Sequence, residues 1–118
     1  MTDEDRRWFH NNTDAMLWLD LAAERDALYL QGFEVARLRV EHALSSKGVD
    51  PSSLCVFTDC DETILDNSPY NGWLISSGRN YHDTTWNQYC NRCISGDKPG
   101  AKEFLQFVKS EGVRVFYV

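Results

Sequence analysis

The chain has 118 residues, with 12 Lys and Arg against 18 Asp and Glu, a formal net charge of −6 and an apolar share of 42%. That length suits one small domain or most of one, and the apolar share excludes wholesale disorder. No basic stripe is present and Arg6-Arg7 is the densest cationic pair, which excludes nucleic acid as the main partner and means an anionic substrate needs a metal ion or oriented backbone amides.

Residues 14–46 are rich in Ala, Leu, Glu and Arg, and predict a helix. Tyr29, Phe33, Ala36, Val40, Ala43 and Leu44 fall on one face of it as a packing stripe, Glu34, Arg37 and Glu41 can pair on another, and Trp18 can anchor its start. Gly48 and Pro51 end it. The continuous run Leu54-Cys55-Val56-Phe57 predicts a strand covered on both faces, with Cys55 as core filler. Asn67-Ser68-Pro69, Asn71-Gly72 and Ser76-Ser77-Gly78 punctuate the stretch that follows. Thr84 or Thr85 is placed to cap a helix through about Ile94 that carries Trp86 and Tyr89. A further helix opens at Pro99, with apolar Ala101, Phe104, Leu105 and Val108, and closes at Gly112. Val113–Val118 is a second strand. Strand, helix, strand implies parallel pairing and a three-layer α/β architecture, in which ligands bind at the carboxyl ends of the strands.

That end of the first strand holds Asp59, Asp61, Glu62 and Asp66 within eight positions. Like charges at a buried strand end are costly, so the cluster calls for a cation. A calcium loop of the D-x-D-x-[DN]-G type does not fit, because the sixth position counted from Asp59 is Ile64 and the twelfth is Tyr70. Cys90-Asn-Arg-Cys93 is a lone CxxC. It lacks the second pair a zinc site needs, which leaves a redox module open beside the plainer reading of two helical thiols.

Asp59-Cys60-Asp61-Glu62-Thr63 matches the strand-D-x-D-x-T signature of the haloacid dehalogenase superfamily. Its continuation, Ile-Leu-Asp-Asn-Ser-Pro-Tyr to Gly72-Trp73, resembles the first motif of the bacterial class C acid phosphatases, which include outer-membrane lipoprotein 5′-nucleotidases. Leu17-Trp18 with Ala23-Glu24 and Ala27–Gln31, then Lys98-Pro99-Gly100-Ala101 with Glu103-Phe104, then Val115–Val118, are similar to that family's helical segment, crossover helix and second core strand. The resemblance implies Mg²⁺-dependent hydrolysis of phosphomonoesters, nucleoside monophosphates among them. Asp59 would be the nucleophile that forms an aspartyl-phosphate, and Asp61 the acid/base. Mg²⁺ would sit on the Asp59 carboxylate and the Asp61 carbonyl. Thr63 would support the phosphate-binding loop, and Trp86 would wall the substrate pocket or else serve as a core tryptophan. Cys60 stands where the family usually has an aliphatic residue.

By the same resemblance, residues 1–118 form a single partial phosphatase domain, with a helical segment over 1–48 and the start of the α/β core over 53–118. The family's Ser/Thr motif, lysine and second acidic pair have no counterparts here. The expectation is therefore the N-terminal part of a longer enzyme, or a catalytically incomplete remnant acting with a partner. Its last strand would be an open edge able to pair with another chain. Relatives are extracytoplasmic, whereas the start MTDEDRR lacks a signal peptide's hydrophobic stretch, and no run approaches the ~20 apolar residues of a membrane span.

Overall fold

A computed structural model describes residues 2–118, with the side chains of residues 4–12 excepted; the Arg6-Arg7 pair therefore lies outside the described side chains. The chain forms two compact units. One comprises the residues up to Arg25 together with Asp66–Gly96, the other Asp26–Leu65 together with Asp97–Val118.

The helix expected over 14–46 is two helices, α1 (Asp3–Leu21) and α2 (Ala23–Leu44). Neither Gly nor Pro marks the break. Instead the Arg25 guanidinium donates to the Leu19 carbonyl, taking up an acceptor at the end of α1, while the Arg25 amide bonds the Ala22 carbonyl and starts the next turn. The stripe on α2 packs as its spacing requires. Phe33, Ala36, Val40 and Leu44 surround the buried cluster of Phe104, Val108 and Val113. On a more exposed face Arg37 bonds Glu41 at 3.0 Å, and its guanidinium lies 4.6 Å from the Phe107 ring centroid.

Gly48, expected to cap the helix, has a left-handed φ of +81° but sits in a separate turn four residues beyond the end of α2. Asp50 then caps a single 3₁₀ turn, Pro51–Ser53, by accepting from the Ser52 amide at 2.9 Å and its hydroxyl at 2.7 Å. Strand β1 (Cys55–Thr58) follows and pairs in parallel with the last strand, β4 (Arg114–Tyr117), in the register Val56 to Val115 and Phe57 to Phe116. The two are joined in part by α5 (Ala101–Ser110), as a strand–helix–strand crossover demands. Gly100 opens α5 at φ +83°, a left-handed value that favours glycine, and a Cβ there would also press on Leu30 Cδ2 of α2 at 3.3 Å.

The expectation that β1 is covered on both faces is corrected. Val56 and Val115 reach the helical core, but Cys55 is exposed and Phe57 is 66% exposed, with its ring stacked on Phe116 at 5.1 Å. A run of four apolar residues does not say which face is covered, and Cys55 is not core filler.

In the other unit α1 packs with α3 (Ser68–Ser77), and α3 meets α4 (Asp83–Cys90) through Tyr70 and Tyr89. The helix α3 runs through Asn71-Gly72, which were expected to punctuate; Pro69 in its first turn and Gly78 at its left-handed end supply the stops. The cap of α4 is His82, whose Nδ1 accepts from the Thr84 amide at 3.2 Å, rather than Thr84 or Thr85, and the helix ends at Cys90. Tyr70, Leu74 and Tyr89 form the core. The two-residue strands β2 (Leu65–Asp66) and β3 (Gly96–Asp97) form a separate pair. No helix among the described residues is long and apolar enough to cross a membrane.

Candidate active site

Asp59 follows directly on β1, at the carboxyl end of the parallel pair, and the Val118 amide bonds the Thr58 carbonyl to carry the ladder to that point. The chain then folds into a tight loop. The Cys60 carbonyl accepts from the amides of Ile64 at 3.0 Å and Leu65 at 2.9 Å, Asp61 bridges to Leu65, and the Glu62 amide donates back to the Leu65 carbonyl at 3.0 Å. Closing so small a loop puts Glu62 at φ +57°, a left-handed conformation that residues with a Cβ rarely adopt.

The loop is held from outside. The Tyr29 hydroxyl on α2 donates to the Glu62 carbonyl, and the Lys98 amide donates to the Ile64 carbonyl at 2.8 Å. Inside it, Thr63 Oγ1 donates to Asp59 Oδ2 at 2.8 Å, fixing one carboxylate oxygen of the strand-end aspartate. The bond is charge-assisted, at an ordinary O–H···O length.

Asp59 and Asp61 are both exposed, and Glu62, Thr63 and Asp66 are half-buried. The expected repulsion at a buried strand end is thus softened, because exposed carboxylates are screened by solvent and salt. Asp66 accepts from the Ser68 amide at 3.2 Å at the start of α3, a structural bond. Asp59, Asp61 and Thr63 share one loop. Trp86 belongs to the other unit, half-buried against Tyr70 at 5.1 Å and Tyr89 at 5.6 Å.

Two contributors escaped the sequence reading. Tyr29 looked like one rung of an apolar stripe, and Lys98, fully buried with Nζ 5.4 Å from the Tyr29 ring centroid, looked like the residue before a helix-starting proline. Neither carries a sequence signal for its contact with the loop. Cys90 and Cys93 are free and exposed, and Cys93 stands in a turn beyond α4 at φ +51°. Among the described residues no three His, Cys, Asp or Glu side chains gather as a metal cluster.

The family described as HAD superfamily, subfamily IIIB (acid phosphatase), matches residues 11–118. Two solved structures of the class C acid phosphatase from Bacillus anthracis, one with tungstate bound, are similar at 33% identity with a TM-score of 0.84. Each match covers 92% of this chain and 45% of the solved chain, so the chain spans less than half the length of the structures it resembles.

Proposed function

Because the chain belongs to subfamily IIIB of the HAD superfamily, the acid phosphatases, we propose that it carries the nucleophile loop of an enzyme that hydrolyses phosphomonoesters through an aspartyl-phosphate. The observation that carries this reading is the bond from Thr63 Oγ1 to Asp59 Oδ2 at a strand's carboxyl end. With Oδ2 so engaged, Asp59 Oδ1 attacks phosphorus and the ester oxygen leaves, taking a proton from Asp61. Water then attacks the acyl phosphate, giving its proton to Asp61 and freeing Asp59 and inorganic phosphate.

The donors here suit a hard divalent cation, Mg²⁺ in our reading. The Asp59 carboxylate is exposed and the Asp61 carbonyl is a second oxygen, and Mg²⁺ keeps several waters rather than demanding an all-protein cage. When bound, the cation neutralises charge between carboxylate and phosphate. Nucleoside monophosphates are the proposed substrates.

A second reading is favoured by the bare sheet face at Phe57 and by the absence of a three-ligand cluster among the described residues. In it, these 118 residues turn over only when further polypeptide supplies strands and donors. Turnover of a chromogenic phosphate ester with Mg²⁺ tests both. A rate that disappears in Asp59→Asn supports the first reading. Background turnover that rises when a polypeptide with the remaining strands is added supports the second, and a rate indifferent to Asp59→Asn sinks the mechanism.

A further inference from the structure

Thr63 sits between two anchored carbonyls. On one side the Glu62 carbonyl takes the Tyr29 hydroxyl, and on the other the Ile64 carbonyl takes the Lys98 amide. The two anchors are themselves joined, since the buried Lys98 Nζ lies 5.4 Å from the centroid of the Tyr29 ring, in range of a cation–π contact. Glu62 keeps a left-handed φ of +57°, a conformation that its own side chain disfavours and that something outside it must hold.

We infer that Tyr29 is a positioning residue: by holding the Glu62 carbonyl it keeps the left-handed turn, and through Thr63 it sets the orientation of the Asp59 carboxylate. The purpose assigned to this clamp rests on the phosphoryl-transfer reading, while the clamp itself is a matter of loop geometry. A helix residue that spacing assigns to packing thus reaches, 33 positions along the chain, into the turn behind the nucleophile. Without its hydroxyl the Glu62 carbonyl loses this bond, and the Asp59 carboxylate gains rotational freedom.

The test uses the isotope-labelled full chain and magnetic resonance, with Mg²⁺ alone as probe. Tyr29→Phe keeps the ring facing Lys98 and removes only the hydroxyl. The expected result is that amide resonances of residues 61–64 and the Asp59 carboxyl resonance shift while those of α5 and β4 stay. The Mg²⁺ concentration needed to half-shift the Asp59 carboxyl should rise about tenfold, as when an outer-shell partner is lost. Adding Glu62→Gly to Tyr29→Phe should bring back most of the wild-type response, because glycine takes the positive φ without a clamp. A merely structural tyrosine predicts no such rescue, since a glycine at 62 repairs nothing on α2. If Tyr29→Phe alone fails to fold, recovery of the fold in the double variant supports the clamp and continued failure overturns it. Unchanged resonances over 61–64 in Tyr29→Phe also overturn it. A shifted loop together with a wild-type Asp59 carboxyl indifferent to Mg²⁺ leaves the clamp standing and sinks the first reading alone, in which these 118 residues hold Mg²⁺ themselves.

Discussion

Thr63 Oγ1 lies 2.8 Å from Asp59 Oδ2, so a hydroxyl four residues downstream holds the carboxylate that ends strand β1. The contact needs both the D-x-D-x-T spacing and the tight turn at Glu62, since an extended chain would carry Thr63 more than 10 Å away at ~3.3 Å per residue. It engages one of the carboxylate's two oxygens, and in the proposed mechanism the other reacts. Thr63→Val keeps the shape and removes the donor. In the phosphatase assay kcat should fall by roughly ten- to a hundredfold, with KM much less affected, because a lost orienting bond costs ~1.4–3 kcal/mol at the transition state. Equal effects on both parameters would instead mark Thr63 as a substrate ligand.

Lys98 makes a second prediction, on stability. Its side chain is fully buried, and its ammonium faces the Tyr29 ring. Lys98→Met keeps most of the volume and loses the charge, and should cost ~0.5–2 kcal/mol, the range of a cation–π contact. Lys98→Ala also opens a cavity and should cost ~2–5 kcal/mol. Urea denaturation of the three proteins gives both values. A Met variant as unstable as the Ala variant would mean that the charge, not the packing, dominates.

What could be read ahead of the structure follows from which signals are local. The stripe Phe33, Ala36, Val40 and Leu44 and the crossover helix with Phe104 and Val108 declare themselves by period, and both meet in one core. The loop after β1 stands out as a candidate site because D-x-D-x-T follows directly on an apolar run. The break at Ala22 is not legible, because it is made by the long Arg25 side chain reaching back to a carbonyl rather than by a helix-breaking residue. The bare face of β1 is not legible either, since Cys55 and Phe57 have the composition of covered residues and their exposure depends on what else the sheet packs against. Tyr29 shows the same limit at the site. Period places it on α2, and only tertiary structure directs its hydroxyl to Glu62.

That bare face yields a third prediction. Phe57 and Phe116 stack at 5.1 Å with an interplanar angle of 17°, yet Phe57 is 66% exposed and Phe116 42%. Exposed aromatic rings on a short parallel pair form a surface prone to association. Phe57→Ser removes the pair, worth ~0.5–1.5 kcal/mol, and should lower concentration-dependent association measured by sedimentation. Unchanged association with Phe57→Ser would place the sticky surface elsewhere.

The last prediction concerns acid. Asp50 accepts from the Ser52 hydroxyl and then the Ser52 amide, and these bonds to the charged form lower its pKa below the usual 3.8. A depressed folded-state pKa adds stability that is fully present above the unfolded value and is lost as pH falls through the folded one. Asp50→Asn cannot ionise and so lacks this term at every pH. Wild type should therefore exceed Asp50→Asn in stability near neutrality, by a small margin since Asp50 is solvent-exposed, and the gap should close once the pH drops well below 3.8. Paired urea titrations at pH 6 and pH 2.5 measure it. A gap that widens on acidification would show that the Ser52 bonds favour the protonated carboxyl and would reverse the sign argued here.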